Sequence, residues 1–565
     1  MTWPDYLVLF GAILGIAVYG IWRSRKNRDL GSYLKGAGDA NWLVIGLSVM
    51  ATQASAITFL STPGQGYEGG LGFVQNYFGA PFALILIAAV FLPIYRRLKV
   101  YTAYEYLGNR FDAKTRLLGA GLFLLNRGLG AGITIYAPAI VLSTVMGWRL
   151  DLTIIGSGLV VIAYTVSGGT DAVTHTQKYQ LAVVFAGMAA AFAVLISMLP
   201  ANVSTRDVFT VAGGFHKLQA VDFSVSFGKR YTFWSGMIGG LFLALSYFGT
   251  DQSQVQRYIS GASLRESRMG LMFNAICKIP MQFFILLLGC YLFVFYQFYR
   301  PPVLFNQTAW HQGLATPSGP RLAESERRLG AAHDEKLVAI RRWLDASHRG
   351  DTSAAEASRL QAVAANARET QARKDASKTL KDAGVKSSND TDYVFIRFIV
   401  EELPHGLIGL LMAAFFAAAL SSKAAELNAL GSATTIDVYR HLVKREDAHY
   451  YKASRLFTVF WGLLAIGFAL FANLSENLIQ ATNILGSVFY GVILGIFLGA
   501  FFFKKIEGTA IFIGAVVAQL VVFACYFRIG ERVTYLWYNV IGCALCLVIA
   551  ASLQAIFDRR KELAA

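Results

Sequence analysis

The chain has 565 residues, of which 55% are hydrophobic and 15% charged, and its formal net charge is +16. Mean hydropathy is +0.47, and the apolar residues run in long blocks. That pattern excludes a soluble globular chain, a disordered one and a barrel of alternating ten-residue strands, and predicts an all-α polytopic membrane protein.

Blocks such as APFALILIAAVFLPIY and FFILLLGCYLFVFYQF are long enough, at about 1.5 Å per helical residue, to cross most of a hydrocarbon core about 30 Å thick. In chain order the hydropathy predicts about thirteen transmembrane helices. They fall at 4–21, 41–66, 72–95, 117–146, 152–167, 180–199, 232–249, 270–299, 400–437, 454–473, 478–502, 507–527 and 533–556. The first starts at the acidic Asp5 and runs into RSRKNR, the reverse of a signal peptide's basic start, so it reads as a retained membrane anchor.

Basic residues crowd into RSRKNR, RRLK with NRFDAKTR, QRYISGASLRESR, YRHLVKRE, FKK and DRRKE. These connections alternate along the path and fall on one side, so the positive-inside rule places the N-terminus outside and the C-terminus in the cytoplasm. The positive net charge is then a topology signal, and nucleic acid is a poor partner to infer from it. A plasma membrane is the expected location, or the inner membrane of a Gram-negative cell. The sequons at Asn202, Asn306, Asn389 and Asn473 all map outside.

Residues 301–392 are different: polar, alanine-rich and mixed in charge, with helical periodicity in ESERRLGAAHDEKLVAIRRWLDA. Parity places the insert outside, where it reads either as a helical cap over the outer mouth or as a linker. The five cysteines lie in apolar segments, and the CxxC of Cys543 and Cys546 is intramembrane, so packing is a better reading than metal or redox chemistry.

Polar residues at membrane depth are expensive and mark solute or ion paths. The second span carries Thr52, Gln53, Ser55, Thr58, Ser61 and Thr62, followed by a Pro-Gly. It reads either as a locally unwound helix whose carbonyls face a cation, or as a small-residue interface with hydroxyls bonded back to the preceding turn. In the ninth, AAALSSKAAELNAL, Ala418, Ser421 and Ser422 share one face and offer three neutral oxygens, a set suited to a hard cation. Lys423 and Glu426 can pair one turn deeper, ahead of Asp437 and Arg440, as an inner vestibule pair or gate, or as a solvated helix end. Arg127 is the other intramembrane charge; it can snorkel, or meet a carboxylate or an anionic solute.

Three stretches together carry a resemblance: GAGITIYAPAIVL at 130–142, FWSGMIGGLFLALSYFGTDQSQVQRY at 233–258, and AAALSSKAAELNALGSATTIDVY in the ninth span. Their order and spacing resemble the sodium:solute symporter family, nearest to its iodide, monocarboxylate and multivitamin branch. The resemblance implies a leucine-transporter-like five-plus-five inverted repeat. The divisions would be 1–40 as an extra helix and cytoplasmic loop, 41–199 as the first repeat, 200–231 as an extracellular loop, 232–502 as the second repeat interrupted by the 301–392 insert, and 503–565 as two further helices and a tail. It also implies a sodium site on the Ala51 and Ala54 carbonyls with Ala418, Ser421 and Ser422, and solute-facing positions at Gln53, Gln75, Tyr136, Trp234 and Tyr247.

One motif departs from the family. Where members commonly read Trp-Thr-Asp followed by Val-x-Gln, this chain reads His175-Thr176-Gln177-Lys178-Tyr179-Gln180. A glutamine at 177 removes a carboxylate from the ion path, so one sodium per cycle is expected instead of two.

The function these readings imply is secondary active symport of a small polar or anionic solute, with sodium as coupling ion and no organic cofactor. The partners are sodium, a small-molecule solute and the lipid bilayer, with no oligomeric state assigned. Sugars, vitamins and inorganic anions stay open as solutes. An intramembrane enzyme is disfavoured because His175, His405 and His441 sit far apart near span ends. A solute sensor and a proton-coupled carrier using Glu426 or Lys423 are the remaining alternatives.

Overall fold

The computed structural model describes residues 2–24, 41–98, 102–259, 261–385, 389–471, 476–530 and 532–564, with side chains at all of these except 13, 16–24, 98, 167–179 and 564. Every apolar block of the sequence is helical. The bundle comprises α1 (Trp3–Ser24), α2 (Trp42–Gln53), α3 (Ala56–Gly69), α4 (80–98), α5 (Ala113–Met146), α6 (Leu150–Ser197), α7 (Ser235–Gly249) and α8 (Leu264–Phe298). After the insert's two long helices, α9 (Gly319–His348) and α10 (Thr352–Asp382), it continues through α11 (Leu407–Ala433), α12 (Asp447–Phe471), α13 (Leu478–Phe502), α14 (Gly508–Ile529) and α15 (Tyr535–Ala564). It is a multi-pass membrane protein.

Local chemistry sets the helix ends. The Asn41 side chain accepts from the Val44 amide at 3.0 Å to start α2, and Asp112 accepts from the Thr115 amide at 2.8 Å to start α5. Gly147, in the left-handed region at φ 68°, closes α5.

Four expected spans are built differently. The block 41–66 is two helices, α2 and α3, broken at Ala54 and Ser55. The block 400–437 begins only at Leu407, because Pro404 cannot continue the preceding helix Val394–Glu402 and Gly406 turns the chain at φ 86°. The blocks 152–167 and 180–199 both fall within the range of α6, whose side chains are described up to 166 and from 180.

The α2/α3 break has a counterpart. Span seven also stops, at Thr250 and Asp251, and resumes as the short helix Gln252–Ile259. Asp251 causes the restart: its carboxylate accepts from the Ser253 amide at 2.9 Å and the Ser253 hydroxyl at 2.6 Å, competing with the helical ladder. A broken helix therefore opens each expected half, one at 41 and one near 232, as a leucine-transporter-like repeat requires. Glycines bring α3 and α8 into backbone contact, since a Cβ on Gly66 would lie 2.4 Å from the Leu286 carbonyl oxygen and one on Gly289 would lie 2.1 Å from that of Pro63.

The insert is an ordered antiparallel hairpin of α9 and α10. Leu322, Leu329, Ala372, Ala376 and Leu380 close its seam. Within it Lys336 donates to Glu369 at 2.5 Å. Burial opposes the Glu369 charge, yet His333, Lys336 and Arg373 hold that carboxyl down at about 2, while burial lowers the Lys336 ammonium. The hairpin docks on the short helix Thr205–Gly214: the Trp343 ring meets Phe215, Arg359 donates to the Gly214 carbonyl at 3.1 Å, and His348 pairs with Asp207 at 2.7 Å.

Candidate functional site

Two cavities lie where the broken helices meet α11. The larger, about 130 Å³, takes Gln53, Ser55 and Thr58 from the α2/α3 break, Tyr77, Arg127 of α5, Tyr247 of α7, Lys278 of α8 and Glu426 of α11, with apolar walls from Ile57, Leu243 and Phe248. The smaller, about 10 Å³, is lined by Ala51, Ala54, Phe59, Gln180, Leu181, Val184, Ala418 and Ser421. A helix break leaves its last carbonyls without the amide four residues on, so the end of α2 presents main-chain oxygens to this small space.

Four of the five expected cation ligands, Ala51, Ala54, Ala418 and Ser421, thus line one cavity. Ser422 does not line it, and its hydroxyl donates to the Ala419 carbonyl at 3.1 Å. Gln180 joins from α6, and among the described residues neither polar atom of its buried side-chain amide has a hydrogen-bond partner. It lines the cavity at a position the sequence reading did not count among the cation ligands. Gln177 lies outside the described side chains.

Of the expected solute contacts, Gln53 and Tyr247 line the large cavity. Gln53 donates to Asn274 at 2.8 Å, and the Tyr247 hydroxyl accepts from Gln254 at 2.6 Å. The other three do not reach it. Gln75 is spent on the outer loop, donating to the Gly72 and Tyr231 carbonyls and accepting from the Asp222 amide. Tyr136 donates to the Ala469 carbonyl at 2.7 Å, on the side of α12. Trp234 is 41% exposed and donates to the Phe223 carbonyl.

Lys423 and Glu426 also sit elsewhere than expected. Both are buried in the middle of the bundle, and Glu426 faces the large cavity, so they form neither an inner vestibule nor a solvated helix end. Lys423 donates to one Glu426 oxygen at 2.5 Å and Arg127 to the other at 3.2 Å. Arg127 also bonds Asp251 at 2.5 Å and lies 5.1 Å from the centre of the Tyr247 ring. Tyr490 completes the network by donating to Asp251 at 2.9 Å. Arg127 thereby ties α5 to α11 and to the break of span seven, so it does not snorkel. Asp251 and Lys278 are intramembrane charges the sequence reading passed over: Lys278 stands alone in an apolar stretch, whereas Asp251 opens the polar run DQSQVQR after one.

The geometry links the two cavities physically. The α2/α3 break faces both, and α11 gives Ser421 to one and Glu426 to the other, about 7.5 Å further along its axis. The sequence model of the sodium:solute symporter family matches residues 33–304 and 375–518. The chain belongs to that family. Its coupling ion is therefore sodium, and its members are transporters and not enzymes. The gap between the matched stretches falls on the hairpin insert of this symporter.

The sodium/sialic acid symporter of Proteus mirabilis is 27% identical over 571 residues, covering 99% of this chain and 96% of that protein. The human sodium/iodide cotransporter is 30% identical over 295 residues, covering 52% of this chain and 45% of that protein. The Xenopus laevis sodium-coupled monocarboxylate transporter 1 is 33% identical over 278 residues, covering 48% and 44%. A solved structure of a substrate-bound, outward-open sodium-coupled sialic acid symporter superimposes with TM-score 0.74 over 98% of both chains at 24% identity, which establishes the shared fold.

Proposed function

We propose that this symporter imports a small polar or anionic organic solute by alternating access, with sodium in the small cavity and solute in the large one. The observation that carries the reading is the sharing of both cavities by one helix break and by α11. A cation drawing the Ala51, Ala54 and Ala418 carbonyls and the Ser421 hydroxyl together fixes the break, and the break presents Gln53, Ser55 and Thr58 to solute. Each ligand then raises the affinity for the other by one factor. The N-terminus is outside and the C-terminus cytoplasmic, by the distribution of basic loops. One sodium accompanies each solute, from the glutamine at 177. A sodium-to-solute flux ratio near two would remove that stoichiometry.

A proton-coupled mechanism through Glu426 is the second reading. It fits less well, because that carboxylate carries two cationic partners, and protonating it leaves Lys423 unmatched and Arg127 with Asp251 alone in the bilayer core. A sensor is a third reading, and measured uptake would end it.

The test is the melting temperature of purified protein in sodium and in choline buffer, with and without N-acetylneuraminate, lactate or iodide, beside Ser421→Ala. The expected result is solute stabilisation only with sodium, and an apparent sodium affinity about tenfold weaker, about 1.4 kcal/mol, in the variant. Stabilisation by solute that is equal in choline would turn the reading toward protons.

A further inference from the structure

The charges around the large cavity do not balance. Arg127 and Lys423 are matched by Asp251 and Glu426 through contacts of 2.5, 3.2 and 2.5 Å. Two cations meet two carboxylates, and Arg127 is already doubly engaged. Lys278 of α8 is the exception. It lines the same cavity and is 4% exposed, with its ammonium 4.7 Å from the centre of the Tyr77 ring, and among the described residues it has neither an ion pair nor a hydrogen bond.

A buried ammonium without a counter-charge is expensive in the middle of a bilayer, and a ring face compensates only part of that cost. Two further buried donors belong to lining residues, the side-chain nitrogen of Asn483 and Nη2 of Arg127, and neither has an acceptor among the described residues. These groups call for an acceptor-rich, negatively charged ligand.

We infer that the solute carries one net negative charge and that Lys278, the lining cation without a carboxylate partner among the described residues, binds it. The inference rests on the symport reading above and narrows its solute class to small organic monoanions, of which a carboxylate is the best fit. A planar carboxylate can accept from Lys278 with one oxygen and from Asn483 with the other, while the rest of the solute lies against Tyr77, Leu243 and Phe248. Arg127 instead fixes the cavity wall through Asp251 and Glu426.

The test uses full-length protein in proteoliposomes and in thermal-shift assays, with N-acetylneuraminate and lactate as anionic probes and N-acetylmannosamine and lactamide as their uncharged counterparts. Wild-type protein is expected to show sodium-dependent uptake of an anionic probe and little of its uncharged counterpart. Lys278→Met should weaken the apparent affinity for that anion at least tenfold, Lys278→Arg should recover most of it, and both variants should keep the stabilisation given by sodium alone, which shows that they fold. Unchanged anion affinity in Lys278→Met, or equal uptake of the uncharged counterpart by wild type, overturns the inference and leaves symport standing. No sodium-dependent uptake of any probe overturns the symport reading, and this inference with it.

Discussion

Among the described residues two buried lysine–glutamate pairs stand at 2.5 Å, one in the insert's hairpin and one in the membrane bundle. Lys336 and Glu369 reach across from one hairpin helix to the other, so the pair sets how α9 and α10 align. Lys423 and Glu426 lie one turn apart on a single helix and align nothing by themselves. They matter through Arg127, which carries Glu426's charge to Asp251 at the break of span seven. The same chemistry is a register pin in one place and a link between three separate helical segments in the other; what each pair is bonded to next makes the difference.

Breaking the membrane pair should have the larger effect. Glu426→Gln leaves Lys423 unmatched and Arg127 with Asp251 alone in the bundle, and truncating one partner of such a buried network costs about 3 kcal/mol or more. A lower melting temperature together with loss of sodium-driven uptake is expected. Normal uptake by that variant would show that the network is only packing.

The hairpin pair should be separable from transport. Glu369→Gln is expected to loosen the hairpin by about 1–3 kcal/mol, read as faster hydrogen exchange in α9 and α10, with solute uptake unchanged. Because the folded Glu369 carboxyl is held at about 2, below its ordinary 4.5, its contribution is complete above about 4.5 and is lost as the pH falls toward 2. Hairpin exchange in the wild type should therefore rise across that window, and the glutamine variant should lack this component. Uptake that falls with the hairpin would instead make the insert part of the transport cycle.

The smallest effect belongs to Trp234, half on the surface and outside both cavities. Trp234→Ala should change solute affinity by less than about 0.5 kcal/mol, measured by titration in sodium. A larger loss would place the ring in the solute path in a second conformation.

The sequence made the helices legible because a bilayer leaves an apolar block few other options, and it made the oxygen-bearing face of α11 legible because hydroxyl residues stand out against leucine and phenylalanine. Ala51 and Ala54, which only the family resemblance pointed to, line one cavity with Ala418 and Ser421. The solute side was less readable. Gln75, Tyr136 and Trp234 have the right chemistry for a binding site, but their hydrogen bonds are spent on loop and helix carbonyls that no spacing reveals.

What the chain determined by itself, then, was its membrane fold, its family and the oxygen-rich face of α11, since these depend on composition and on neighbours one turn away. Tertiary structure alone decided which charges meet. Arg127 is paired and Lys278 is not because residues 124 and 299 positions away from Arg127, Asp251 and Glu426, are folded against its guanidinium, while no carboxylate is folded against α8 at Lys278 among the described residues. Electrostatic pairing depends on distance in space, and the distance along the chain does not give it.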